Sequence, residues 1–395
     1  MSIPIADRVR EIPRSGIRDF FEVVQSMGDV ISLGIGEPDF VTPWHIREAA
    51  IYALEKGRTG YTSNLGLPRL RATISDYVNE NFAVRYEPEN EILVSVGVSE
   101  AIDIALRALL NPGDEVIYHE PCYVSYAPSI ALAGGVARAI TTRAEDRFIL
   151  RAVDVEGAIT SRTKALMLNF PTNPTGATMP PDELEKIAAL CVKHNLVVLS
   201  DEIYSELTYD GLSHPSLAAL PGMKERTVLL HGVSKAFAMT GWRIGFACAP
   251  PELIDAMMKI HQYAILCAPI MSQEAAIEAL SHGRPAMEKM RSAYEMRRNY
   301  IVSGLHALGL DGFKPQGAFY VFPKITKTGL TSREFSHRLL LEKKVAVVPG
   351  TAFGPSGEGH VRCSYATGLE QIKIAVTRIG EFCEEIAADG SAAAA

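Results

Sequence analysis

Between about residues 90 and 250 the chain alternates short apolar runs with segments of helical period. "EILVSVG" precedes a helix beginning near Ser99, and "DEVIYHEP" precedes one near Tyr123. "KALMLNF" leads through the turn "PTNPTG" into the helical pattern "PPDELEKIAALCVKHN", and "LVVLSDE", "TVLLHG" and "RIGFACAP" complete the series. Apolar runs of four to seven residues joined by amphipathic crossovers predict a parallel or mixed sheet covered on both faces. Ligands of such sheets bind outside the carboxyl ends of the strands. Ser99, Tyr123, Asn173, Asp201 and Ser234–Lys235 all fall just after a predicted strand.

Beyond residue 285 the pattern changes. A long helical segment from Pro285 to Leu308 is followed by the strand "GAFYVFPKI", the helix "SREFSHRLLLEKK", the strands "VAVVPG" and "HVRCSYA", and a final helix from Leu369. The expected organisation is a large domain over residues 46–285. A smaller α+β domain is built from residues 1–45 and 286–395. The terminal "GSAAAA" reads as a frayed tail.

Composition narrows the function. A formal net charge of −7 gives no electrostatic reason to expect nucleic acid or an anionic membrane. No run of eighteen apolar residues is present, and "MSIPIADRVREIPRSGIRDF" carries charges where a leader needs an apolar stretch, so the expected location is cytoplasmic. The six cysteines, Cys122, Cys191, Cys248, Cys267, Cys363 and Cys383, have no metal-ligand spacing and read as buried free thiols.

The stretch "HGVSKAFAMTGWRIGFACAP" places Lys235 and Arg243 in a segment otherwise fit for burial. Buried charges need an anionic or covalent partner, in the chain or in a cofactor. Taken singly, Lys235 reads as an ordinary lysine near a helix start, Asp201 as a helix cap and Asn173 as a turn residue. Tyr123 and Tyr204 read as core tyrosines, and Arg362 as part of a surface ion pair.

Taken together, "LGIGEPDF", "VSVGVSEAIDIAL", "FPTNPTG", "SDEIYSEL", "SKAFAMTGWRIG" and "GHVRCSYA" occur in one order, and the chain from Arg10 to Ile386 resembles the class I/II aminotransferases of fold type I. The resemblance implies a mostly parallel seven-stranded sheet, a smaller α+β domain and pyridoxal 5'-phosphate (PLP) as cofactor. It makes Lys235 the Schiff-base lysine and places Asp201 at the pyridine nitrogen, where a negative charge favours the protonated ring. Tyr204 and Asn173 would bond the ring's phenolic oxygen, and Tyr123 would stack on the ring. The phosphate would lie on the amides of Val98 and Ser99 at a helix start, with Ser234 and Arg243.

By the same resemblance Arg362 clamps the substrate carboxylate, with Gly36 and Asn173 beside it. Tyr61 would reach the phosphate of a neighbouring protomer, implying a homodimer with shared sites. Gly232 stands where many members carry a serine that reaches the phosphate. Ser99 stands where bacterial aspartate aminotransferases of the most similar subgroup often carry a lysine that meets the substrate's distal carboxylate. Strict aspartate preference would therefore need another cation, such as Arg18. The stretch "HQYAILCAPIMSQ" looks like members acting on aromatic, neutral or diamino-acid substrates.

The expected activity is ping-pong transfer of an amino group from an L-amino acid to a 2-oxo acid, 2-oxoglutarate or pyruvate. A carbon–sulfur β-lyase or a cyclising synthase on the same fold would share Lys235, Asp201 and Arg243; amination of the cofactor by amino acid alone would distinguish transamination. A non-catalytic cofactor-binding regulator needs a DNA-binding module, for which the residues before "GIGEPD" are too few. A nicotinamide-dependent dehydrogenase is disfavoured because no predicted strand here is followed by a GxGxxG loop.

Overall fold

The computed structural model describes residues 3–12 and 27–393; Arg18 lies outside the described residues. The short strand β1 (Ile31–Ser32) stands apart from a central sheet of seven. That sheet contains β2 (Ile92–Ser95), β3 (Glu115–Glu120), β4 (Val136–Thr141), β5 (Thr163–Asn169), β6 (Val197–Asp201), β7 (Thr227–Gly232) and β8 (Gly245–Cys248). Their order across the sheet is β2-β8-β7-β6-β5-β3-β4. Only β8 runs against its neighbours, pairing antiparallel with both β2 and β7.

The inner strands are buried along nearly their whole length, as runs such as "ALMLN" and "TVLLHG" require of a sheet covered on both faces. β4 is different. It lies at the edge and buries only Ile140, so its sequence "VARAIT" carries no apolar run and is missing from the strands predicted above.

Parallel pairing brings the strand ends to one rim. Asn169 pairs with Asp201, and Asp201 with Leu230, so the loops after β5, β6 and β7 leave the sheet side by side. β2 passes through Gly97, whose φ of +75° suits glycine, into the helix Gly97–Leu109. The helix expected near Tyr123 begins at Tyr126 instead.

The C-terminal part forms β9 (Tyr320–Val321), β10 (Val345–Ala346), β11 (Val348–Pro349) and β12 (Val361–Ser364). β11, β12 and β9 make an antiparallel sheet, while β10 pairs in parallel with β1. The single strand expected for "VAVVPG" is thus split between two sheets, and "GAFYVFPKI" yields a strand of two residues with isolated bridges at Gly317 and Lys324. Apolar length predicts burial in both runs, but the available partner strand limits the pairing. The helices Arg284–Ala307 and Ser332–Lys343 match the periodicity, the latter opened by a capping box of Thr331 and Glu334. The last helix, Leu369–Ala393, runs into the tail expected to fray.

All six cysteines are free; Cys122, Cys191, Cys248 and Cys363 are buried. Among the described residues no helix is long and apolar enough to cross a membrane, and no cluster of metal-ligating side chains occurs.

Gly232, at the end of β7, is packed against the turn into β8. A Cβ there would lie 2.8 Å from the Ile244 carbonyl oxygen and 2.9 Å from Gly245 Cα. These are backbone atoms, so a serine at this position cannot be accommodated by a rotamer change. Gly232→Ser is expected to lower stability by about 1–3 kcal/mol, the usual range for overpacking. Urea denaturation checks this; unchanged stability would show that the β7–β8 turn yields freely.

Candidate active site

Lys235 follows β7 in a turn of small residues. Its Nζ donates to the Gly36 carbonyl oxygen at 2.6 Å and lies 5.8 Å from the Phe319 ring and 5.9 Å from the Tyr204 ring. Burial pushes its pKa down to about 8; Glu37 opposes the shift, while the positive charges of Arg362 and Arg243 assist it. The amine is therefore neutral far more often than an exposed lysine.

Asp201, 4% exposed, ends β6. Its Oδ2 accepts from the Tyr126 hydroxyl at 2.6 Å and its Oδ1 from the Ile203 amide at 3.3 Å. Burial raises its pKa to about 6, against these two hydrogen bonds and the charge of His231, which pull it down. The Ile203 contact is the local turn bond expected of a cap, while the Tyr126 contact spans distant chain. Asn169 fixes the neighbouring backbone, donating to the Asp201 carbonyl at 2.9 Å and accepting from the Asn173 amide at 3.2 Å.

Arg362, on β12, is only 3% exposed and makes no ion pair among the described residues, which overturns the surface ion-pair reading. Its Nη1 donates to Asn173 Oδ1 at 2.8 Å and its Nη2 to the Gly34 carbonyl at 2.6 Å, both neutral acceptors. Nε is buried with no partner. The guanidinium carbon sits 4.4 Å from the Tyr320 ring centre and 4.8 Å from that of Phe353. A desolvated cation fitted with neutral acceptors and with one nitrogen left unpartnered is suited to a carboxylate brought from outside.

Tyr204 reaches the same cluster: its hydroxyl is 2.9 Å from that of Tyr320. Gly36 is held to its size here, since a Cβ would lie 2.8 Å from the Tyr320 hydroxyl. Tyr123 is partly buried, its ring edge-on to Tyr126 with centres 5.7 Å apart.

Arg243 adopts a left-handed backbone conformation, φ 55° and ψ 53°, a strained state that clusters at functional sites. Its side chain is exposed, contrary to the burial expected from the surrounding sequence, because the turn before β8 carries it outward. Nη1 donates to the Thr240 carbonyl at 3.0 Å. The guanidinium lies against Gly97, where any Cβ would collide with it. Arg243 therefore stands over the first turn of the helix bearing Val98 and Ser99, and Gly245 packs equally closely under the Val98 amide. Ser234 is buried beside Lys235.

The fold thus gathers Gly36, Asn173, Tyr204, Lys235 and Arg362 through direct contacts, Tyr123 and Asp201 through Tyr126, and Arg243 with the start of the helix. Tyr61 is not part of this cluster within one chain; it is 87% exposed on a loop. Sequence reasoning does not find Tyr126, Asn169 or Tyr320. Tyr126 has a signal, standing three residues after Tyr123 and opening the helix that follows the same strand. Tyr320 lies in an apolar run that reads as core.

The family model for aminotransferase class I and II matches residues 28–379. The chain is 53% identical to a putative aminotransferase, YugH, of Bacillus subtilis, covering 97% of this chain and 99% of that protein. It is 46% identical to an aspartate aminotransferase of Pyrococcus abyssi over 96% and 98% of the two. Among solved structures, an aromatic aminotransferase from Pyrococcus horikoshii superposes with a TM-score of 0.89 at 45% identity, covering 94% of this chain and 99% of that one.

Asp201 yields a pH prediction for the cofactor-free protein. Its folded pKa of about 6 lies above the ordinary carboxylate value, so the folded state binds this proton more tightly than the unfolded one. The contribution is fully favourable below about pH 4 and is lost as pH rises to about 6. Asp201→Asn is expected to raise cofactor-free stability at pH 7, by roughly 3 kcal/mol at most, and to flatten that part of the pH profile. Thermal melting between pH 4 and 8 checks it; a destabilised variant at pH 7 would show that the buried charge is compensated within the chain.

Proposed function

Because the chain belongs to the class I and II aminotransferases, we infer that Lys235, Asp201, Arg243 and Arg362 divide the work of transamination among them. The enzyme is a PLP-dependent transaminase moving amino groups between amino acids and 2-oxo acids. When bound, PLP supplies an aldehyde that accepts the amino group and a ring that draws electrons from the substrate α-carbon.

The residues present fit that cofactor. Arg243 has no ion pair among the described residues and faces a helix start, the donor set a phosphate needs. Val98 and Ser99 would supply amides and Ser234 a hydroxyl. Asp201, buried with hydrogen bonds but no ion pair among the described residues, would hold the ring nitrogen protonated. Tyr204 and Asn173, whose Oδ1 already accepts from Arg362, would donate to the phenolic oxygen, and Tyr123 would cover the ring.

Lys235 would hold the cofactor through its amine, and the same amine, when free, would be the base that moves the substrate's α-proton, a role its lowered pKa supports. Arg362 binds the α-carboxylate, and the idle buried Nε is the single observation that carries this reading. Gly36 leaves the space. We extend the reading to a homodimer in which Tyr61 enters the partner's phosphate site, supported by its exposure. Division into a domain of residues 46–285 and a smaller one of 1–45 and 286–395 belongs to the same proposal, as does a cytoplasmic setting, which six free thiols support.

The donor is set by what faces the substrate side chain. Ser99 is exposed and uncharged, and Glu37 lies near enough to act on the charge of Lys235, which disfavours a second carboxylate. Relatives of comparable identity bear names for aspartate and for aromatic donors. We propose that neutral and aromatic amino acids are donors at least as good as aspartate, with 2-oxoglutarate or pyruvate as acceptor.

Lys235→Ala should lose the absorbance of covalently held cofactor, its fixation by borohydride, and turnover by orders of magnitude; a reducible linkage retained in the variant would remove the assignment. Donors compared by kcat/KM with 2-oxoglutarate fixed should show no strong aspartate preference. A directed buried cation is worth about 1.5–3 kcal/mol, roughly ten- to more than a hundredfold, so a hundredfold advantage for aspartate over every neutral donor would contradict the proposal.

A further inference from the structure

The loop carrying Tyr61 is fastened by two consecutive residues of another element. In the helix Ile270–His282, Gln273 is fully buried and Glu274 is 9% exposed. Gln273 Oε1 accepts from the Leu67 amide at 2.7 Å, and its Nε2 donates to Thr62 Oγ1 at 3.1 Å and to the Ala268 carbonyl at 2.8 Å. Glu274 takes Arg58 on Oε1 at 2.8 Å and Arg69 on Oε2. The loop is thus held at both ends, residues 58 and 69, and at residues 62 and 67 between them.

The same loop is joined to the sheet. The Leu65 carbonyl accepts from the Val94 amide of β2 at 3.0 Å, and Gly66 turns with φ +98° against Val94 and Gln273. β2 leads directly into Gly97 and the helix start. Within this fastened segment the Tyr61 side chain stays exposed.

Holding a loop this firmly while leaving its aromatic side chain in solvent reduces the ordering cost when that side chain enters another protein surface. We propose that Gln273 and Glu274 are positioning residues that pre-set Tyr61 for entry into the partner protomer's phosphate site. This rests on the shared-site reading given above. Gln273 is the main anchor, because a buried amide with three partners leaves unpaired polar groups when removed. The Glu274 pairs involve half-exposed arginines and are individually weak.

Cofactor dissociation constants, read from the absorbance of bound PLP, should be compared for Tyr61→Phe, Gln273→Leu, Glu274→Gln and each of the latter combined with Tyr61→Phe. Amide hydrogen exchange over residues 58–69 should be followed in parallel. Tyr61→Phe is expected to weaken PLP binding roughly tenfold, one hydrogen bond to a charged group. Gln273→Leu and Glu274→Gln should weaken it severalfold, speed exchange in the loop, and add little in the Tyr61→Phe background. If Gln273→Leu does not fold, Glu274→Gln carries the test. An unchanged affinity in Tyr61→Phe would defeat the shared-site reading and this inference with it. A weakened Tyr61→Phe beside normal Gln273 and Glu274 variants, or losses that add in full, would overturn this inference alone.

Discussion

Arg362 is a guanidinium withdrawn from water with no carboxylate among the described residues to meet it. Burial of a charge costs several kcal/mol unless it is paired or well hydrogen-bonded, and here the described residues supply two neutral carbonyl groups and two aromatic faces and leave Nε idle. Asp201 poses the mirror problem: a buried carboxyl held by a tyrosine and an amide, with its pKa raised by the burial. Each group is costly alone and becomes favourable when a ligand of opposite charge arrives. On the reading proposed above, a cationic ring at Asp201 and an anionic carboxylate at Arg362 would offset these costs.

The rest of the fold serves that arrangement. Parallel pairing of β5, β6 and β7 sets Asn169, Asp201 and the approach to Lys235 on one rim. β12 delivers Arg362 from a different sheet, and Asn173 joins the two by accepting from it. Glycines mark the places where elements must touch. Gly97 and Gly245 let the strand β8, the helix start and Arg243 approach within van der Waals contact, and Gly36 leaves room beside Tyr320. Lys235 bridges back to Gly36, so the segment after β1 contacts both the Lys235 amine and, through Gly34, the Arg362 guanidinium.

Much of this arrangement is legible in the amino-acid sequence alone. Fully buried strands such as β5 and β7 announce themselves as unbroken apolar runs, and a polar residue at the end of such a run, Asp201, marks the ligand rim. β4 is not legible, because an edge strand with one buried residue has no such pattern. Arg243 is expected inside because its neighbours are apolar; a left-handed turn, invisible to hydrophobic periodicity, carries it to the surface. Tyr126 and Tyr320 act by contacts across 75 and 116 residues of chain, which no local pattern encodes. Gly232 reads in the sequence as a lost phosphate contact, but the packing of Ile244 and Gly245 leaves no room there for a side chain.

The proposed substrate recognition rests most heavily on Arg362, which has no ion pair among the described residues. Isothermal titration of the PLP-loaded enzyme with 3-phenylpropionate, a carboxylate that carries no amino group to react, isolates that interaction from chemistry. The expected result is saturable binding that weakens roughly tenfold or more in Arg362→Leu, the loss of a charge-assisted hydrogen bond, with PLP absorbance retained. Equal affinity in the two proteins would contradict the account, because the carboxylate would then be held elsewhere and the buried guanidinium would have no ligand.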